Sequence, residues 1–118
     1  MILVDTSVWI DHLRRGNARM EELLEAAFVT CHPFIIGELA CGTLRNRAEV
    51  LALLDELPAA PVATHEETLV FLDTHKLMGK GLGYVDLHLL TAAMMDRTPL
   101  WTLDRRLAGE AARLGIAA

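Results

Sequence analysis

Four acidic residues of this chain stand beside apolar segments: Asp5 after Ile2-Leu3-Val4, Glu38 after Phe34-Ile35-Ile36, Asp86 before Leu87, and Asp104 after Leu103. A carboxylate carried into an interior is costly unless a cation, hydrogen-bond donors or a metal meets it. The basic residues cluster in polar segments such as Arg14-Arg15 and Arg45-Asn46-Arg47, so giving each acid its own arginine requires four separate coincidences. One divalent cation shared by the carboxylates is more economical. Oxygen-only ligation, with no His or Cys cluster, suits a hard ion such as Mg²⁺ or Mn²⁺ rather than zinc. Such an ion keeps positions for phosphate oxygens and a water. It polarises a phosphoryl oxygen, lowers the pKa of the water and stabilises the leaving oxygen. Phosphodiester hydrolysis is the natural reaction class.

A second reading competes with this one. An Asp after a strand commonly caps the next helix, which would account for Asp5 or Asp104 taken alone. Asp86 can likewise cap the helix it opens, and Glu38 can pair with a nearby arginine. The residues alone leave both readings open.

The elements that must position these acids follow from hydrophobic spacing. Ile2-Leu3-Val4 reads as a buried strand, and Thr6 or Ser7 can cap the helix after it, with Trp9, Ile10 and Leu13 facing the core and Gly16-Asn17 ending it. Met20, Leu23, Leu24 and Ala27 form the stripe of a second helix. Phe28 to Cys31 is a second strand, and Pro33 opens a helix that carries Glu38 and runs to about Arg45. Val50, Leu53, Leu54 and Leu57 mark another helix stopped by Pro58, and Pro61-Val62-Ala63 a short third strand. A helix is expected over Glu66 to Met78, then a turn through Gly79, Gly81 and Gly83. Tyr84 to Met95 is apolar nearly all round, a central buried helix. Leu100-Trp101-Thr102 is a fourth strand, Leu107, Ala111 and Leu114 line a last helix, and Ile116 to Ala118 can add an edge strand. Alternating strands and helices imply an α/β fold with a mainly parallel sheet of four or five strands. Ligands bind such sheets at the carboxyl ends of strands, where Asp5 and Asp104 both fall.

At 118 residues the chain reads as one domain, 1–118. Its hydrophobic fraction of 53% is mostly aliphatic, since aromatics are 5%, as fits a sheet covered on both faces. No apolar stretch approaches the roughly 18 residues of a membrane span. The first acid comes too early for a signal peptide. Cys31 and Cys41 lack CxxC spacing and read as buried thiols. The expectation is a cytoplasmic protein. A net charge of −5 looks unfavourable for nucleic acid, but the four candidate ligands carry most of it.

In order, Met1-Ile2-Leu3-Val4-Asp5-Thr6-Ser7-Val8-Trp9-Ile10, Phe34-Ile35-Ile36-Gly37-Glu38-Leu39, Gly83-Tyr84-Val85-Asp86-Leu87-His88-Leu89-Leu90-Thr91-Ala92-Ala93 and Leu100-Trp101-Thr102-Leu103-Asp104-Arg105-Arg106-Leu107 resemble the four acidic motifs of PIN-domain toxins of the VapC type. No single motif is decisive, but the ordered set, spanning essentially the whole chain, is highly specific. The resemblance implies a three-layer α/β/α sandwich and a Mg²⁺- or Mn²⁺-dependent endoribonuclease. It implies the toxin of a type II toxin–antitoxin pair, inhibited by a VapB-like antitoxin, and commonly a homodimer. RNA as substrate rests on this resemblance alone. The metal-binding roles carry over to Asp5, Glu38, Asp86 and Asp104, and a supporting hydroxyl to Thr102, with Thr6 a second such candidate. Where many relatives carry a further acid, Arg105 and Arg106 follow Asp104, a departure that argues against a second ion.

Other residues have plainer readings. His88 lies two positions from Asp86, about 200° round the helix, and reads as a satisfied helix histidine. His12, His32, His65 and His75 have no metal spacing and read as exposed or capping. Trp9, Phe34 and Ile35 fit core packing, with a groove for an antitoxin segment as the alternative. Arg14, Arg15, Arg19, Lys80, Arg105 and Arg106 fit solvated helix faces or an RNA-backbone contact equally. A receiver-like signalling domain also gathers acids at strand ends. It needs a phospho-acceptor Asp after the third strand and a late lysine, whereas Ala63-Thr64-His65 stands there and no lysine follows Lys80. A catalytically silent PIN domain and a processing nuclease without an antitoxin are the remaining alternatives.

Overall fold

A computed structural model describes all residues from Met1 to Ala118. Its sheet comprises β1 (Ile2–Val4), β2 (Val29–Thr30) and β3 (Leu100–Trp101), all parallel, in the order β2-β1-β3. Leu3 lies opposite Thr30 on one side and Leu100 on the other, and Val4 opposite Trp101. Leu3, Val4, Val29 and Leu100 are buried, as the continuous apolar runs of a two-faced sheet require.

Three strands replace the expected four or five. The two missing ones are reduced to single parallel bridges, Cys31 with Ala59 and Leu100 with Ala117. Backbone chemistry explains both. Beyond Cys31 the next rung needs an N–H at position 33, where Pro33 has none and α3 begins. Pro61-Val62-Ala63 therefore forms no ladder. On the other edge, the Thr98 N–H that would extend the pairing donates instead to Ala93 O at 2.9 Å, closing the end of α6.

The chain moves from β1 outward to β2, then back across β1 to β3. With right-handed crossovers, these opposite directions place the connecting helices on opposite faces, giving three layers. One connection carries α1 (Thr6–Arg15) and α2 (Ala18–Glu25). The other carries α3 (Pro33–Ala40), α4 (Arg47–Asp55), α5 (His65–Thr74) and α6 (Tyr84–Asp96), and α7 (Arg105–Arg113) follows β3. Seven successive residues of α6, Leu87 to Ala93, are buried, so it is the central helix its sequence implies. No helix is long and apolar enough to cross a membrane.

Several helix ends differ from the spacing-based limits. Asn17 accepts from Met20 N and opens α2 rather than only ending α1. The third helix stops at Ala40 instead of near Arg45, because the Arg47 guanidinium takes the Ala40 carbonyl at 2.8 and 3.2 Å. The fifth ends at Thr74 rather than Met78: Lys76 turns left-handed (φ 53°), and Leu77 N–H returns to Leu72 O. Cys31 is buried, and burial pushes its thiol up to about 12; Cys41 is exposed, against expectation.

Candidate active site

After β1 the chain turns toward β2; after β3 it turns the other way, through α7 to the bridge at Ala117. The switch point of the sheet therefore lies between β1 and β3, where a crevice opens at strand carboxyl ends. Asp5 leaves β1 there, and Thr102 and Asp104 leave β3.

Asp5 holds the N-cap position of α1, yet its side chain makes no capping hydrogen bond. Its Oδ2 accepts from Thr102 Oγ1 at 2.7 Å and Ser7 Oγ at 2.8 Å. Ser7 Oγ also accepts from Leu103 N at 2.9 Å, and Thr102 Oγ1 from Asp104 N at 3.0 Å. Two hydroxyls thus tie the end of β1 to the end of β3. Asp104 does cap: its Oδ1 accepts from Leu107 N at 3.0 Å. Asp86 Oδ2 accepts from Gly83 N at 2.9 Å, and Glu38 Oε1 from Thr6 Oγ1 at 2.7 Å. The capping explanation holds in part for Asp86 and Asp104 and fails for Asp5.

The four acids are not all enclosed, as their apolar neighbours would suggest. Only Asp5 is buried, at 6% exposure; Asp86 is partly buried, and Glu38 and Asp104 are exposed. Apolar neighbours in sequence do not bury a residue at a helix start or on an outward turn. Asp86 does lie in the field of two of the others. Burial pushes the Asp86 carboxyl above its usual range, the Gly83 N–H pulls it back, and the charges of Asp5 and Asp104 raise it further. The only ion pairs of the chain, Arg15–Asp11 and Arg113–Glu110, leave all four acids without a basic partner.

No three Asp, Glu, His or Cys side chains converge at ligand spacing; like charges repel, and each carboxylate rests on its own local donors. The donor set nevertheless fits a hard divalent ion. Every ligand atom is oxygen, and one oxygen of each carboxylate makes no hydrogen bond. An ion that retains waters tolerates loose spacing.

Thr102 donates to Asp5 and Thr6 to Glu38, and Ser7, whose sequence position suggests only a cap, donates to Asp5 as well. A hydroxyl two residues beyond an acid that leaves a strand was the available signal. His32 caps α3, as its plain reading allows, but is not exposed, and His88 is not fully satisfied. His32 is fully buried, accepts from Phe34 N with Nδ1 and leaves Nε2 unpartnered; His88 is buried with Nδ1 unpartnered. Burial, then His88, pulls His32 down to about 4, and burial, then His65, lowers His88. Ile35 is core, while Trp9, itself buried, lines an apolar cavity of about 460 Å³ with Leu24, Val50, Leu53 and Leu57. Arg19 stacks on Trp101, 4.3 Å from the ring centre.

Comparison with known proteins gives the family. The sequence model of the family described as PIN domain matches residues 2–112. Ribonuclease VapC32 of Mycobacterium tuberculosis is 48% identical over 118 residues, covering 99% of this chain and 95% of that protein, in strain CDC 1551 / Oshkosh and equally in strain ATCC 25618 / H37Rv.

Proposed function

Because the chain belongs to the PIN-domain family, among the VapC-type ribonucleases, we propose that it is a Mg²⁺- or Mn²⁺-dependent endoribonuclease and the toxin of a VapBC-type pair. The observation that carries this reading is Asp5: a buried carboxylate at a helix start that neither caps the helix nor meets a cation, held by Thr102 and Ser7. Asp5, Glu38, Asp86 and Asp104 would hold the ion through the oxygens their local hydrogen bonds leave free. The bound ion supplies Lewis acidity toward a phosphoryl oxygen and a water of lowered pKa.

The protein's own contribution is to fix these carboxylates before substrate arrives. Thr102 and Ser7 set the rotamer of Asp5, Thr6 sets that of Glu38, and the first turns of α6 and α7 hold Asp86 and Asp104. Hydroxyl and N–H donors do this without adding positive charge that would compete for the carboxylates. RNA is the substrate, and Arg105 and Arg106 beside Asp104 favour a single ion.

A VapB-like antitoxin is the proposed inhibitor, seated in the apolar cavity of Trp9, Leu24, Val50 and Leu57 between α1, α2 and α4. Exposed Leu69 and Val70 on α5, with Val62 and Met78 nearby in sequence, support a homodimer. The protein acts in the cytoplasm. The test is cleavage of structured RNA by the purified chain. Cleavage should require Mg²⁺ or Mn²⁺, stop with chelator, and be abolished in a folded Asp86→Asn variant; retained cleavage in that variant would overturn the site assignment.

A further inference from the structure

A second cavity, of about 320 Å³, lies between α1, α3 and the segment 42–45 that follows α3. Glu38 forms part of its wall, Leu13, Leu39 and Leu44 supply apolar surface, and Arg14 and Arg45 supply charge. Neither guanidinium makes a hydrogen bond or an ion pair, which is also true of Arg97, Arg105 and Arg106 outside this cavity, whereas Arg15, Arg47 and Arg113 are each engaged by a carboxylate or carbonyl and Arg19 by a ring. Two uncommitted cations therefore face one small amphipathic pocket in a chain whose net charge is −5.

The pocket continues directly from the acidic crevice. Thr6, which donates to Glu38, and Ile10, Leu13 and Arg14 follow one another along the same side of α1 at helical spacing. Thr6 and Arg14 are about 12 Å apart along the axis, and helix side chains lean toward the N-terminus, so Arg14 reaches back toward the crevice. The volume falls at the lower end for small-ligand sites. Its apolar wall suits the ribose and base of one nucleotide, and the two guanidiniums suit a phosphate.

We propose that this cavity seats the nucleotide adjacent to the scissile phosphodiester, with Arg14 and Arg45 holding a flanking phosphate of the RNA. The inference rests on the nuclease reading of the four acids and adds to it where the substrate strand runs: along the α1–α3 groove. Because the arginines hold a phosphate other than the one that reacts, the contact acts on binding. Loss of both arginines raises KM and leaves kcat nearly unchanged.

The experiment measures anisotropy of a 5′-fluorescein random-sequence single-stranded RNA bound to full-length protein over a salt series. It compares Asp86→Asn with Asp86→Asn carrying Arg14→Ala/Arg45→Ala or Arg14→Lys/Arg45→Lys; cleavage kinetics are measured in the wild-type background. The alanine pair is expected to weaken binding roughly tenfold and to flatten the slope of log K against log salt by about 0.7 per lost phosphate contact. The lysine pair should keep the slope. An unchanged affinity and slope in the alanine pair, or a fall in kcat with KM unchanged, overturns the proposal while leaving the nuclease reading intact. Full RNA affinity with weakened inhibition by antitoxin would assign the arginines to the antitoxin and overturn it likewise. A wild-type protein that cleaves no RNA with Mg²⁺ or Mn²⁺ overturns the nuclease reading itself, and this proposal with it.

Discussion

Thr102 Oγ1 donates to Asp5 Oδ2 at 2.7 Å across 97 positions of sequence, joining the ends of β1 and β3 at the switch point of the sheet. The same hydroxyl accepts from Asp104 N, so one buried side chain orients two of the four acids. Thr102→Val keeps the shape and removes the hydroxyl. It should lower metal affinity or cleavage by about 10- to 100-fold and cost about 1–3 kcal/mol of stability, since buried polar groups lose their partner. Thr102→Ser should restore most of both. Mn²⁺ titration and urea unfolding of the two variants check this.

Asp86 has opposite effects on function and stability in metal-free protein. Burial, Asp5 and Asp104 raise its folded pKa above that of the unfolded chain, so the folded protein binds its proton more tightly. Its stabilising contribution is present at low pH and is lost as pH rises through the raised folded value. Asp86→Asn should therefore raise the Tm of chelated protein at pH 7 while abolishing cleavage. A lower Tm in that variant would show that the carboxylate serves the fold.

His32 should set part of the acid limb of stability. Its folded pKa of about 4 lies below the ordinary 6.5, so its contribution is complete above the unfolded value and is lost as pH falls from about 6.5 through about 4. Protonation also removes the acceptor for Phe34 N. His32→Asn, which can still cap α3, should lose less stability than wild type between pH 7 and pH 4.5 in urea unfolding.

Thr64 separates fold from chemistry. It caps α5 through a reciprocal pair with Glu67, at 3.1 and 2.8 Å, on a helix that contributes none of the four acids. Thr64→Ala should cost about 1 kcal/mol and leave kcat and KM unchanged, as unfolding and cleavage assays will show.

The strands that carry Asp5 and Asp104 were legible because β1 and β3 are continuous apolar runs, and α6 because it is apolar all round. The third and fifth strands were overestimated: Pro33 and the Thr98 N–H decide those edges, and neither acts through hydrophobic pattern. The site was legible in its residues but not in its environment. Apolar neighbours predicted four buried acids, whereas exposure depends on which way a helix start faces, and only Asp5 is deeply enclosed. In sequence Ser7 offers only a helix cap, because the Leu103 N–H that it accepts reaches it only when β1 and β3 pair. His32 and His88, 6.2 Å apart between ring centres, are likewise brought together by tertiary packing alone.

Mn²⁺ binding followed by electron paramagnetic resonance tests the central claim most directly. One ion per chain should bind to the wild-type protein, with affinity sharply reduced in Asp5→Asn while circular dichroism shows the fold retained. A wild-type chain that binds no Mn²⁺, or an Asp5→Asn variant that binds it equally well, would contradict the assignment of these carboxylates to a metal.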